Sequence, residues 1–400
     1  MGVNEQKTKK NSLQGADLRQ YGMMIALIVI FVMFSIATQG KLFYPDNFNN
    51  LIMQNSYIVI LACGMLLCIL TGNVDLSVGS VVAFVGSVSA VVMVDYKMPA
   101  WVAIIAGLAI GALVGCFQGF FIAFMQIPAF IVTLADMLIF RGLTMVVLTG
   151  RTVGPFSDAL YNKIANAYLP TYFVRFGTST VEFDMISLIV GITAAVLVII
   201  MEIRNRSIKR KYSFFVTPAI QSIVKIAVII IVANIFTYKL ARSSGLPIIL
   251  LILVLIIVIY SFITQNTVAG RHIYALGGNA KAAMLSGINT TKVMFFVYFS
   301  MGIMCAVAGI VLASRNGAAT PKAGDSFELD AIAACYIGGA STTGGVGTVI
   351  GAVVGALIMG VLNMGMSLLG VPVEWQKVIK GTVLLGAVSV DLISKRRSGN

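Results

Sequence analysis

The chain has 400 residues, of which 58% are apolar and only 11% charged, a balance that excludes an ordinary water-soluble domain of this size. The formal net charge is +13, but the basic residues gather in short runs between apolar stretches (Lys7–Arg19, Arg204–Lys211, Arg271–Lys292 and Lys395–Arg397). This pattern fits cytoplasmic segments beside anionic lipid head groups and argues against nucleic acid as a partner. The apolar runs are continuous, where barrel strands would alternate, so the expected fold is an all-α polytopic membrane protein of about ten to twelve transmembrane helices.

Residues 1–21 are polar and basic and read as a cytoplasmic tail. A membrane domain is expected over 22–393, and a second cytoplasmic tail over 394–400. The first span, about Gly22–Thr38, is full length and lacks a small-residue cleavage site, so no cleavable signal peptide is expected. A second span is placed at about Leu51–Leu70. After it, TGNVDLSVGS (Thr71–Ser80) inserts Asn73, Asp75 and Ser77 between two apolar runs with no room for a long loop. Irregular backbone and a carboxylate at membrane depth are tolerated only where protein or water surrounds them. These residues are therefore candidates for lining a pathway. A tight interfacial turn in which Asp75 caps the next helix is the compatible alternative.

The third span is read at about Val74–Val94 and the fourth at about Ala100–Gln118, where Gly111, Gly115 and Gly119 flatten one face for close helix packing. Pro128 is expected to open the fifth span at its first turn; on that span Asp136 and Arg141 either pair with each other, a structural role favoured over substrate binding, or point separately into the bundle with Arg141 snorkelling towards the nearer surface. The long mixed stretch Thr149–Asp184 is placed on the outer side, either as a docking surface or as an interface loop anchored by Tyr161, Tyr168 and Tyr172. A sixth span, about Met185–Met201, returns inward to Arg204–Lys211. Two more, about Ala219–Tyr238 and Leu246–Ile263, lead to a polar island.

That island, Gly270–Lys292, reads GRHIYALGGNAKAAMLSGINTTK. Gly277 and Gly278 are expected to break the helix, Asn279 to cap a new one, Ala280–Leu285 to form it and Gly287 to end it. Two turns are marginal alone in water, so this helix must pack on something, whether the bundle or a second protein. An ordinary amphipathic connector is the competing reading. Beyond the span at Val293–Ala313, Ser314–Asp330 is dense in charge and expected outside. In AIAACYIGGASTTGGVGTVIGAVVGAL, the pairs Gly338-Gly339 and Gly344-Gly345 should interrupt the chain. That gives a short or re-entrant segment and then a span at about Gly347–Leu368. Gly347, Gly351 and Gly355 repeat the earlier four-residue spacing, as two pseudo-repeated halves would. The last span, about Trp375–Ile393, would bring the C-terminus inside, and an even count of twelve satisfies both termini.

Cys63, Cys68, Cys116, Cys305 and Cys335 all lie in or beside apolar runs without a CxxC pair, and His272 stands alone. No metal, cofactor or catalytic residue is expected. No GxxxxGK[ST] loop occurs, so ATP hydrolysis is not expected in this chain.

Four segments in order, GNVDLSVGS, IPAFIVTL, GRHIYALGGNAKAAMLSGI and ELDAIAACYIGGASTTGGVGTVIG, resemble sugar ABC importer permeases of the ribose/xylose type, and the likeness covers nearly the whole chain. The resemblance implies a permease subunit for a monosaccharide of the xylose, ribose, arabinose or galactose class in a bacterial inner membrane. Its implied partners are a cytoplasmic ABC ATPase subunit, an extracytoplasmic sugar-binding protein and a second permease copy in a homodimer. It also implies that the short helix couples to the ATPase, through Gly277, Gly278, Asn279, Ala282, Ala283, Ser286, Gly287 and Ile288. Residues about 204–247 look like an insertion relative to ribose-type permeases. A neutral sugar needs hydrogen-bonding groups, and Asn73, Asp75, Ser77, Gln118 and Asn363 are candidates for lining its path. Each could equally satisfy a neighbouring helix. An ion-coupled secondary transporter is the alternative, with Asp75 and Asp136 as its relay. An integral-membrane enzyme would need clustered His, Asp and Glu.

Overall fold

The computed structural model describes residues 25–175, 182–212 and 219–397. The tail expected at 1–21 and the last residues, 398–400, lie outside them. Among the described residues seven helices are long and apolar enough to cross a membrane, and three shorter apolar helices accompany them. The expectation of an all-α polytopic membrane protein holds, apart from a two-stranded ribbon.

Helix α1 (Ile25–Ala37) turns through a 3₁₀ segment into α2 (Pro45–Leu70). The latter starts earlier than Leu51 because Pro45, with its fixed φ, opens it and Asp46 occupies its first turn. Helix α2 is apolar all round and buried over most of its length, the signature of a central helix. Next come α3 (Val78–Val94), α4 (Ala100–Gly119) and α5 (Ala129–Leu148). The fourth span is longer than expected, since α4 continues through a π turn at Phe120–Phe124. Pro128 is the residue before α5.

Short α6 (Ala159–Asn166) begins at Asp158, whose carboxylate accepts from the backbone N–H groups of Leu160 and Tyr161. Strands β1 (Phe173–Arg175) and β2 (Glu182–Asp184) pair antiparallel. Helices α7 (Met185–Lys211) and α8 (Ala219–Ala241) pack on each other, and α9 (Ile248–Asn266) follows. The expected polar island forms α10 (Val268–Gly278) and α11 (Ala280–Leu285). The chain closes with α12 (Thr290–Asn316), α13 (Phe327–Ile337), α14 (Val349–Leu368) and α15 (Val373–Arg397).

Glycine faces set the closest helix pair. Methyl groups at Gly111 and Gly115 of α4 would strike the α12 backbone at Gly302 and Phe299, and one at Gly302 would strike the α4 backbone in return. Without side chains between them the two backbones touch. The bundle has two ends. At the far end Ser314 of α12 binds α6, accepting from Ala165 N at 3.0 Å, and Ser243 after α8 accepts from Asn49 of α2 at 2.9 Å. At the near end lie α10, α11 and the end of α2.

The chain between α12 and α14 crosses in an unusual way. Ala319 pairs with Val153 at the far end, and Gly345 donates to Leu70 O at the near end, 2.9 Å. Between them α13 is only 11 residues long, about 16 Å at 1.5 Å per residue. The rest of the crossing is made by the irregular segment 317–326. Gly338 caps α13, and Gly339, Gly344 and Gly345 take positive φ in the returning loop, as the interrupted glycine pairs led one to expect.

Candidate functional site: a coupling loop and a polar route

Thr267 opens α10 by accepting from Gly270 N at 3.2 Å, and Gly270 sits so close to the carbonyls of Ile263 and Thr264 that no side chain fits. Helix α10 then ends at Gly278, with Asn279 as its C-cap, so the expected break falls at the glycine pair, and Gly277 has a second reason to be glycine. That reason is a tertiary contact: a methyl at Gly277 would collide with Leu70 O and stand 2.7 Å from Gly345 N. Here glycine serves close approach and does not make a turn.

Asn279 leaves the helical region and accepts from Ala282 N at 3.0 Å, capping α11. Gly287 ends it at φ 82°, and Asn289 caps α12 by accepting from Lys292 N at 2.9 Å. The short helix therefore stands where its capping residues placed it. Ala283 is its buried contact with the bundle. Asn279, Ala282, Ser286 and Gly287 are exposed, as is Gly278, while Gly277 and Ile288 are half-buried.

Two residues not singled out from the sequence dominate the free surface of α11. Met284 is 59% and Leu285 84% exposed, although neither has an apolar neighbour to pack on outside the bundle. The signal was present in the pattern AAML. If Ala283 seats the helix, the two larger residues beside it must point elsewhere.

Three chain segments meet at the base of this loop. Leu70 and Gly72 end α2, Gly277 and Gly278 end α10, and Gly344 and Gly345 belong to the returning loop before α14. Side chains at Gly344 would meet Gly72 N, Gly277 O and Leu70 O at 2.9–3.0 Å, and one at Gly345 would meet Gly278 at 2.9 Å. Tyr274 of α10 adds a hydrogen bond to Gly347 O, 2.7 Å. The junction is thus backbone against backbone.

The polar candidates divide into three places. Asp75 Oδ1 accepts from Ser77 N at 2.8 Å and Ser77 Oγ at 2.6 Å, and Gln118 Nε2 donates to Ser77 Oγ at 2.6 Å. Gln118 also lies beside Asp136 of α5. All four side chains are buried, so this is an internal brace tying the α2–α3 break to α4 alongside α5. The carboxylate of Asp75 is spent on Ser77 and caps no N–H inside α3, whose first-turn cap has no side-chain bond. Asn73 is half-buried and bonds Thr71 locally. Asn363, on α14, is elsewhere and lies beside Asp330.

Of the two arrangements open to Asp136 and Arg141, the pair does not form and the side chains stand separately. Arg141 instead donates to Ala323 O at 2.6 Å and Pro321 O at 3.3 Å, so it holds the irregular segment before α13. That segment and the start of α13 also make two pairs with α15: Lys377 Nζ to Asp325 Oδ2, 2.7 Å, and Lys380 Nζ to Asp330 Oδ1 in α13, 2.9 Å. Tyr57 of α2 donates to Asp330 at 3.2 Å. Among the described residues no group of His, Cys, Asp and Glu could hold a metal ion.

A bundle of apolar helices with a polar loop presented at one end and ionisable groups set into its wall defines a membrane permease component. Residues 47–388 match the family model for the permease component of branched-chain amino acid transport systems. The chain is 38% identical to a xylose transport system permease protein of Haemophilus influenzae over 96% of this chain and 99% of that one. It is 39% identical to the Escherichia coli xylose permease protein (97% and 95% covered) and 34% identical to the E. coli ribose import permease protein (94% and 94%). No solved structure matches the chain. The chain belongs to this family of permeases, among its ribose/xylose-type sugar importers.

Proposed function

We propose that the chain is the membrane subunit of an ATP-driven importer for a monosaccharide of the xylose or ribose kind. A separate ATPase subunit would turn α11, and a sugar-binding protein would deliver the solute at the far end. What carries this reading is α11 itself: a capped helix offering Met284 and Leu285 to water, on a base whose backbone is locked to α2 and to the loop before α14. Exposed apolar side chains on a rigid mount are anchors for a partner pocket. Arg271 and Lys281 are exposed around them, so the matching pocket is apolar with an acidic rim. Basic runs fall at the near end, at the end of α7 and in α10–α12, which supports placing that end and both termini in the cytoplasm.

In this reading the far end, with α6 and the β1–β2 ribbon, receives the binding protein, and a second copy completes the transporter. Asp75, Ser77 and Gln118 brace the bundle, while Asn73 at the near end and Asn363 nearer the far end remain on the side of the route. The test is Leu285→Asp in the assembled importer. Uptake driven by ATP should be lost, and the ATPase subunit should no longer co-purify, while the amount of chain in the membrane is unchanged. Normal uptake by this variant would overturn the reading.

A further inference from the structure

Six ionisable side chains surround the start of α13: Arg141, Asp325, Glu328, Asp330, Lys377 and Lys380. Their depth follows from their neighbours. Phe327 stacks on Tyr57, with ring centroids 3.7 Å apart and planes at 13°, and Tyr57 lies half-way along α2. The backbone at Gly324 touches Gly79 at the start of α3. Arg141 lies seven residues before the end of α5, about 10 Å along the helix. This is well inside the level of the spanning helices, yet the Asp325 and Lys377 side chains are 60% and 48% exposed. Arg141 and Glu328 are half-buried.

Half-exposed ions at that depth cannot face acyl chains at acceptable cost; groups of this kind line protein interiors or water. On α5 the residues one turn to either side of Arg141, Leu138 and Met145, are apolar and exposed. The six charges thus form a floor with an apolar border on that helix. Three cations stand against three carboxylates, so the floor attracts neither anions nor cations in net terms. It offers carboxylate acceptors and guanidinium and ammonium donors, which suits hydroxyl groups.

We infer that this floor is a water-filled vestibule open at the far end, and that Asp325 and Glu328 there hydrogen-bond the hydroxyls of a neutral polyhydroxylated solute on its way in. The inference rests on the proposed importer function and adds the place where the solute first meets this chain. It differs from the sequence-based candidates, since Asp75, Ser77 and Gln118 are sealed inside.

The test uses the complete importer in membranes and a charged, membrane-impermeant methanethiosulfonate added on the far side. Asp325→Cys and Glu328→Cys should react at least about tenfold faster than Leu113→Cys, which sits 68% exposed at mid-length on α4, because thiol attack needs the thiolate and water. The parent chain supplies the blank for its own cysteines. Glu328→Gln should cut sugar uptake while ATP hydrolysis stimulated by the binding protein continues. Should Glu328→Cys fail to assemble, Lys377→Cys on the surface of α15 takes its place. Labelling of the floor no faster than of Leu113→Cys, or unchanged uptake by Glu328→Gln, overturns the vestibule and leaves the importer reading standing. Absence of ATP-driven sugar uptake by the parent chain overturns the importer reading, with the labelling result unaffected.

Discussion

The glycine junction at the near end and the charged floor toward the far end are built from opposite materials. At the junction three segments meet backbone against backbone around Leu70, Gly277 and Gly345, with one side-chain bond, from Tyr274 to Gly347 O, beside them. At the floor the segment before α13 is held by long side chains: Arg141 on two carbonyls, Lys377 on Asp325, Lys380 on Asp330. Backbone contact leaves no side-chain rotamers to re-arrange, so the ends of α2 and α10 and the loop before α14 are held at a fixed spacing. Side-chain pairs in contact with water can exchange partners. The near end is therefore built to keep its geometry, and the floor to exchange contacts.

The sharpest way to break that contrast is to put a side chain into the junction. Gly277→Val would force three backbones apart; overpacking costs about 1–3 kcal/mol and more where backbone must move. We expect loss of the folded protein from the membrane, read as the amount extracted and its Tm in detergent. The matching change at Gly278, whose added Cβ meets nothing, should leave Tm within a few degrees.

At the floor the largest effect belongs to its buried pair. Asp330 is 1% exposed on its side chain and Lys380 14%, so Lys380→Met leaves a carboxylate among helices with only Tyr57 donating to it and Asn363 beside it. Breaking a buried pair costs about 3–5 kcal/mol. Adding Asp330→Asn to Lys380→Met should restore much of the lost Tm; a double variant as unstable as the single one would show that the pair's charge is not what matters.

Gly287 tests α11 alone. Its φ of 82° with open space around it means that Gly287→Val meets backbone strain without collision, about 1–2 kcal/mol. Uptake driven by ATP should fall sharply with little change in Tm, because only the seat of α11 shifts. Equal uptake would show that the angle at which α11 leaves the bundle is unimportant.

These regions were also unequally legible in the sequence. The extent of α11 could be read because its determinants are local: Asn279 caps and Gly287 stops, each within a few residues of the helix it bounds. The break at the glycine pair was legible and falls at Gly278, but the packing of Gly277 on Leu70 and Gly345 was not, because those residues lie far along the chain. For Arg141 the sequence offered Asp136 or a separate position, while its acceptors sit 180 and 182 residues away. Ser314–Asp330 looked like an ordinary external loop, since charge density says nothing about depth. The stacking of Phe327 on Tyr57 and the contact of Gly324 with Gly79 set the level of that segment.

The smallest effect comes from the exposed pair, and it has a definite pH signature. The hydrogen bond from Lys377 holds the Asp325 carboxyl below its ordinary value, with the Lys377 and Arg141 charges helping and partial burial opposing. A carboxyl lowered on folding adds stability above its unfolded pKa and loses it as pH falls through the lowered folded value. The Tm difference between the parent and Asp325→Asn should therefore be constant from pH 8 to 5 and shrink only below about 4. It should also be small, because water and salt screen a pair this open. A difference that instead changes between pH 8 and 6 would mean that Asp325 is not ionised at neutral pH, and so that the floor it belongs to is drier than a vestibule open to the far side.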